Sequence, residues 1–197
     1  IAFLRDKKLK DYFKKKKFQS KLRFICNVIP KRDRIEEYLK TEINLSNLDF
    51  VYSISNFFKI KKKNFYNSLK SFKGLPHRQE VFLKKNNLKF INDSKATTFE
   101  SAKFALSKYE NIVWILGGLP KLNDKFKIGK FKSKIIKAYI IGNYANFFKK
   151  QLNRKIKYTT VKKLENVVKA IFKKFNNSKK NINILFSPAS ASFDQYK

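Results

Sequence analysis

Methionine is absent from the 197 residues, and cysteine and histidine occur once each. The lone Cys26 cannot close an internal disulfide, and nothing near it has metal-ligand spacing, so a disulfide-stapled scaffold is excluded. Cys26 reads as a small buried apolar residue in a reducing, cytoplasmic compartment. Long hydrophobic runs are missing too. The longest, such as residues 112–116, fall far short of a bilayer span, so no membrane partner is expected. The opening Ile-Ala-Phe-Leu-Arg-Asp turns charged at once, unlike a secretory signal. Neither Gly-x-x-x-x-Gly-Lys-Ser/Thr nor Gly-x-Ser-x-Gly occurs anywhere, and His77 has no evident partnership with a serine. A P-loop and a serine-hydrolase reading are thereby set aside. The chain starts at Ile1 without any methionine and ends on a polar stretch at Lys197, so an internal fragment of a longer protein is expected.

Acidic residues are also scarce: 14 Asp and Glu stand against 47 Lys and Arg, a net charge of +33. Such an excess by itself suggests a polyanion such as nucleic acid. Two observations weaken that reading. Lysine far outnumbers arginine and comes with abundant Asn, Ile, Phe and Tyr, all encoded by A/T-rich codons. The lysines are scattered, and dense runs such as Lys61 to Lys63 read as solvated faces. Nucleic acid is not expected as the main partner. With 43% hydrophobic and 16% aromatic residues the chain can pack a core.

Residues 1–40 are lysine-rich, with a strand expected over 22–29 before Pro30. Helical spacing of Leu45, Leu48, Val51, Tyr52, Ile54, Phe57 and Phe58 predicts a helix over 45–58, and a second over 62–72. Gly74 and Pro76 then punctuate the chain, and a domain boundary is placed there, giving 1–73 and 74–197. Beyond it, strands (81–84, 88–91, 111–116, 135–141, 183–186) alternate with helices (98–109, 144–152, 161–175). This is the pattern of an α/β fold with a mostly parallel sheet covered on both sides. Ligands of such sheets bind beyond the carboxyl ends of the strands, which singles out 92–97, 117–121, 142–143 and 187–192.

Four segments carry chemistry. In Gly74-Leu75-Pro76-His77-Arg78-Gln79-Glu80, Arg78 can grip phosphate with its planar fork, or the stretch is a polar linker. In Ile91-Asn92-Asp93-Ser94-Lys95-Ala96-Thr97-Thr98, Thr97 or Thr98 can cap the next helix with support from Glu100 or Ser101. The same loop can instead hold an anion, and Lys95 is hard to explain as capping. Gly117 and Gly118 let the backbone approach a ligand closely, with Lys121 available to a carboxylate or phosphate. Ser187-Pro188-Ala189-Ser190-Ala191-Ser192-Phe193-Asp194-Gln195 offers small residues and hydroxyls after a strand.

Taken in order, these segments resemble the C-terminal domain of the Mur ligases, ATP-dependent amino-acid ligases of cell-wall synthesis. Asn92-Asp93-Ser94-Lys95-Ala96-Thr97 and residues 187–195 look like those of the member that adds D-glutamate to UDP-N-acetylmuramoyl-L-alanine. The resemblance covers 74–197 and extends to Asn44-x-x-Asn47. It implies a Rossmann-like C-terminal domain over 74–197, preceded by the tail of a central ATP-binding α/β domain over 1–73. It implies ATP with Mg2+, and a reaction in which the nucleotide-sugar carboxylate is phosphorylated and then attacked by the amine of the amino acid. Thr97, Lys121 and Ser192 would hold D-glutamate, with Phe193 lining the site. Asn44 would lie near adenine, Arg78 at the phosphates and Asp93 at the ribose. Lys95 would sit by the reacting phosphate and amine, and His77 is as well read as a hinge residue. Departures are the missing glycine and histidine of Gly-x-His-Asn-x-x-Asn, here Thr41-Glu42-Ile43-Asn44-Leu45-Ser46-Asn47, and Ser190 in place of a cysteine. The family's P-loop, metal ligands and modified lysine fall outside this chain, so the chain by itself is not expected to catalyse. A ligase for another amino acid, a degenerate ligase and a basic nucleic-acid module are the rival readings; the Asp-Asn-Pro-Arg segment of the diamino-acid-adding relative is absent.

Overall fold

The computed structural model describes residues 2–4, 6–16, 22–25, 29–30, 35, 39–40, 42–121, 123–152 and 155–191. The chain divides into two compact units, Ile1–Lys73 and Gly74–Lys197.

In the first unit β1 (Ala2–Leu4) pairs in parallel with β2 (Leu22–Phe24), and α1 (Lys7–Lys15) lies between them in the chain. Asp6 starts α1: its Oδ1 accepts the N–H groups of Lys8 at 2.7 Å and Leu9 at 3.1 Å, two of the donors a helix start leaves unpaired. The strand expected over 22–29 is shorter, ending at Phe24, and Cys26 lies outside the described residues. Helices α2 (Glu42–Phe57) and α3 (Lys62–Ser71) follow. Leu48 with Tyr52, and Phe65 with Leu69, are spaced four apart and bury one stripe of each helix in a core shared with Ile29, Ile35 and Leu39. The Tyr52 and Phe65 rings meet edge to face at 5.0 Å. Asp49 is buried and accepts the Ile29 N–H at 3.2 Å.

The second unit is a six-stranded sheet of β3 (Glu80–Lys85), β4 (Leu88–Asn92), β5 (Ile112–Gly117), β6 (Ile135–Ile141), β7 (Tyr158–Thr160) and β8 (Ile182–Phe186), in the order β3-β4-β8-β5-β6-β7. Only the β3–β4 hairpin is antiparallel; every other pair is parallel. The α/β class and the mostly parallel sheet are thus as expected. Alternation along the strands splits the core in two. Ile112, Trp114, Leu116, Ala138, Ile140 and Leu185 face α4 (Phe99–Lys108) and α5 (Ala145–Leu152), while Val113, Ile115, Tyr139, Ile141 and Ile184 face α6 (Leu164–Phe175). Every residue of β5 is buried. Each such Ile, Val or Leu contributes roughly 1.5–3 kcal/mol through burial, which makes β5 the anchor of the sheet.

Helix α4 buries Phe99, Ala102, Ala105 and Leu106, spaced to lie on one face. Thr98 is its cap: the hydroxyl accepts the Ser101 N–H at 3.1 Å. The helix expected over 161–175 starts later, at Leu164, and it follows β7, a three-residue edge strand over 158–160 with all side chains exposed. A 3-10 helix, Ile128–Lys134, packs Ile128 into the core and was not evident from the chain.

Because β8 inserts between β4 and β5, the chain returns to the centre of the sheet with its last strand. The carboxyl ends of β4, β8 and β5 therefore stand side by side, and the loops leaving them share one rim.

Candidate functional site

Backbone hydrogen bonds lace the three rim loops together. The Asp93 N–H donates to the Phe186 carbonyl at 2.8 Å, extending the β4–β8 ladder by one step. The Ala189 N–H donates to Ala96 O at 2.9 Å and the Gly117 N–H to Pro188 O at 3.0 Å. Leu119 and Ala191 then exchange N–H···O bonds of 2.7 and 3.2 Å as a short antiparallel bridge. This closeness needs glycine. A Cβ on Gly117 would stand 2.0 Å from the Ile141 carbonyl oxygen, and one on Gly118 would stand 2.3 Å from that of Ala191. Both glycines also have φ near +130°, which side chains disfavour.

Asp93 sits under the rim and is buried. Its Oδ2 accepts the Ser187 hydroxyl at 2.8 Å and its Oδ1 accepts the Gln79 N–H at 3.2 Å. Burial pushes its carboxyl up to about 6; the Ser187 and Gln79 hydrogen bonds and the Arg78 charge pull the other way and lose. Asp93 thereby ties the 77–80 turn to the end of β8. His77 belongs to the same turn. It has φ +63°, donates its N–H to Glu80 Oε2 at 2.8 Å, accepts the Lys95 N–H on its carbonyl at 3.2 Å, and places Nδ1 2.9 Å from Asn92 Nδ2. These contacts give His77 a structural part in holding the turn.

Arg78 and Lys95 are exposed on this turn and loop, and Thr97 is half-buried. The hydroxyl of Thr98 is used by the helix cap, where it also meets Ser101 Oγ at 2.9 Å. Among the described residues that of Thr97 has no hydrogen-bond partner, and neither Lys95 nor Lys121 has a carboxylate partner. Lys121 is exposed on the loop after β5. Asp93, Lys95, Thr97 and Lys121 thus share the rim, with Arg78 on the turn bonded to it. Asn44 lies in the first turn of α2, in the other unit. Ser192 and Phe193 lie outside the described residues; Ala191, next to Ser192, is fixed by its bridge to Leu119.

Two residues of the rim had no sequence signal. Asp124 Oδ2 accepts the N–H of Phe99, the first residue of α4, at 2.9 Å. Gln151 on α5 accepts the Phe126 N–H at 3.0 Å and donates to the Asp124 carbonyl at 3.3 Å. All three contacts span 25 or more residues, beyond the reach of any local motif. Among the described residues no three His, Cys, Asp or Glu side chains gather as a metal site requires. A shallow depression of about 230 Å³ lies at the opposite end of the strands, lined by Lys84, Asn87, Asn181 and Asn183 among others, far from the rim chemistry.

No protein-family model matches the chain. Individual proteins do. The chain is 36% identical over 154 residues to UDP-N-acetylmuramoylalanine–D-glutamate ligase of Wolbachia pipientis wMel, covering 78% of this chain and 30% of that protein. It is 42% identical over 139 residues to the ligase of the same name from Rhizobium meliloti strain 1021, covering 70% of this chain and 30% of that protein. The chain belongs to the Mur ligase family. It spans about 30% of the length of these curated relatives. Solved structures share the fold. MurF from Acinetobacter baumannii matches with a TM-score of 0.57 at 12% identity, over 74% of this chain and 35% of that one. MurF from Thermotoga maritima in complex with ADP matches with a TM-score of 0.51 at 17% identity, over 75% and 34%. Bifunctional folylpolyglutamate synthase/dihydrofolate synthase from Yersinia pestis CO92 matches at 0.53 and 12% identity, over 80% and 37%. Among the described residues of this Mur-family chain no helix is long and apolar enough to cross a membrane.

Proposed function

We propose that this Mur-family chain is part of an ATP-dependent carbon–nitrogen ligase that adds D-glutamate to UDP-N-acetylmuramoyl-L-alanine in the cytoplasm. The observation that carries this reading is the shared rim of the Asp93–Thr97 turn, the Lys121 loop and the 187–191 segment, in a chain 36% and 42% identical to ligases of that name. In the first step a carboxylate oxygen of the nucleotide sugar attacks the γ-phosphorus of ATP, and ADP leaves. In the second the D-glutamate amine attacks the acyl carbon of the resulting acyl phosphate, loses a proton and expels phosphate. Both steps depend chiefly on positioning and on stabilising negative charge.

The rim supplies what the second step needs. D-glutamate brings two carboxylates and an amine. Lys121, without a carboxylate partner among the described residues, suits one carboxylate, and the Thr97 hydroxyl can donate to the other. Ser192 and Phe193, directly after Ala191, would complete the pocket. Lys95, next to the Thr97 turn, suits the developing phosphate charge. Arg78 suits the nucleotide phosphates through its bidentate fork. Asp93 would serve the ribose at the edge of the same turn, and Asn44 the adenine. A magnesium ion accompanying ATP would draw its ligands from beyond these residues, as would the phosphoryl-transfer machinery, so the chain alone is expected to be inactive.

The complete protein tests this. Phosphate release from ATP is followed with UDP-N-acetylmuramoyl-L-alanine and D-glutamate, L-glutamate or a diamino acid. Release that requires D-glutamate is the expected result. Release with a diamino acid would move the specificity within the family, and no release with any of them would point to a degenerate ligase.

A further inference from the structure

We infer that Asp124 and Gln151 are positioning residues for the amino-acid substrate, setting the Lys121 loop against the Thr97 turn. The inference rests on the reading of Thr97 and Lys121 as the D-glutamate contacts, and it concerns two residues that neither charge nor motif singled out.

Asp124 works at two points. Its backbone N–H donates to the Lys121 carbonyl at 3.2 Å, closing a turn on the lysine itself. Its Oδ2 accepts the Phe99 N–H at 2.9 Å, and Phe99 is two residues from Thr97. The carboxylate is therefore a direct tie between the two substrate-holding segments. It is not a substitute for the helix cap: Thr98 already serves the Ser101 N–H, so Asp124 takes a different donor of the same first turn. Gln151 clamps the far side of the loop, with one amide atom on the Phe126 N–H and the other on the Asp124 carbonyl. The Phe126 ring stacks on Phe99 at 4.8 Å and 14°, so the same two residues are also joined through the core.

The loop needs such a tie. It leaves β5 through Gly117 and Gly118, which have no side chains to anchor it, and the Leu119–Ala191 bridge fixes only its start. A lysine stem is long and flexible, so the place of its ammonium depends on the backbone beneath it. A shift of about 1 Å in such a contact can cost on the order of a hundredfold in rate.

The complete protein carries the test, with KM for D-glutamate, ATP and the nucleotide sugar measured separately. Asp124→Ala is expected to raise the D-glutamate KM by about tenfold or more while the other two stay within about twofold. Asp124→Asn keeps an acceptor for the Phe99 N–H and is expected to restore most of the loss. Gln151→Ala should move the same KM in the same direction, and the double variant should lose less than the product of the two singles, because both act on one loop. Thermal melting of each variant separates loss of fold from loss of placement. Equal changes in all three KM values, or a fall in kcat alone that tracks the melting temperature, would overturn the positioning role while leaving the D-glutamate reading intact. Wild-type release that ignores D-glutamate would overturn that reading and the inference with it.

Discussion

The Ser187 hydroxyl donates to Asp93 Oδ2 at 2.8 Å, joining the ends of two neighbouring strands that lie 94 residues apart in the chain. Oδ1 accepts the Gln79 N–H as well, and burial pushes the Asp93 carboxyl up to about 6 from an ordinary 3.8 against the pull of both hydrogen bonds. The sign of the consequence follows. Between about pH 4 and 6 the folded protein keeps a proton that the unfolded chain has lost, so stability falls as pH rises through that window. The whole effect is at most about 3 kcal/mol. Asp93→Asn retains an acceptor for Gln79, and the Ser187 hydroxyl can turn to accept from the new amide. We expect urea unfolding of wild type, followed through the buried Trp114, to weaken from pH 5 to 7.5, and that of Asp93→Asn to stay nearly flat. A parallel decline in both proteins would assign the pH response to another group.

Gly118→Ala should damage the rim without touching a proposed ligand contact. The added Cβ meets the Ala191 carbonyl at 2.3 Å and a backbone φ of +129°, so either the Leu119–Ala191 bridge opens or the strain is retained. The expected cost is about 2–4 kcal/mol. Denaturant unfolding measures it. A neutral substitution would mean that the loops do not approach as described.

What could be read in the chain, and what could not, divides along physical lines. β5 and β6 were legible because runs of β-branched residues stop at glycine, and α4 because a threonine precedes a face of Phe99, Ala102, Ala105 and Leu106. Those are local signals. The place of β8 between β4 and β5 was not legible, since strand order is set by packing and not by chain order. β7 was not read at all, because three exposed residues carry no periodicity. Asp93 and Lys95 stand two apart in one polar loop, yet one is buried and doubly bonded while the other is exposed. Partners 14 and 94 residues away distinguish them.

Trp114 offers a second probe of the same strand end. Its Nε1–H donates to the Ser187 carbonyl at 2.8 Å inside the core. Trp114→Phe leaves that carbonyl without this donor and opens space beside Phe99 and Phe126. A loss of about 2–4 kcal/mol is expected from the unmade hydrogen bond and the cavity together. Circular dichroism during urea unfolding reads it, since the fluorescent reporter is removed. A loss below about 0.5 kcal/mol would show that the bond contributes little and that the pocket collapses around the smaller ring.

The last expectation separates the proposed ligands by residue. Lys121 is exposed and has no carboxylate partner among the described residues, so removing its charge breaks no ion pair there and should leave the fold intact. In the complete protein Lys121→Ala should raise KM for D-glutamate at least about tenfold and leave KM for ATP within about twofold, because a substrate carboxylate loses the cation proposed for it while the nucleotide keeps Arg78. Lys121→Arg should recover part of the loss, as its fork can reach a carboxylate but not from the same point. Arg78→Ala should show the opposite pattern, with ATP affected first. An equal loss for both substrates in Lys121→Ala would remove the lysine from the amino-acid site and return it to the large class of lysines that only solvate the surface.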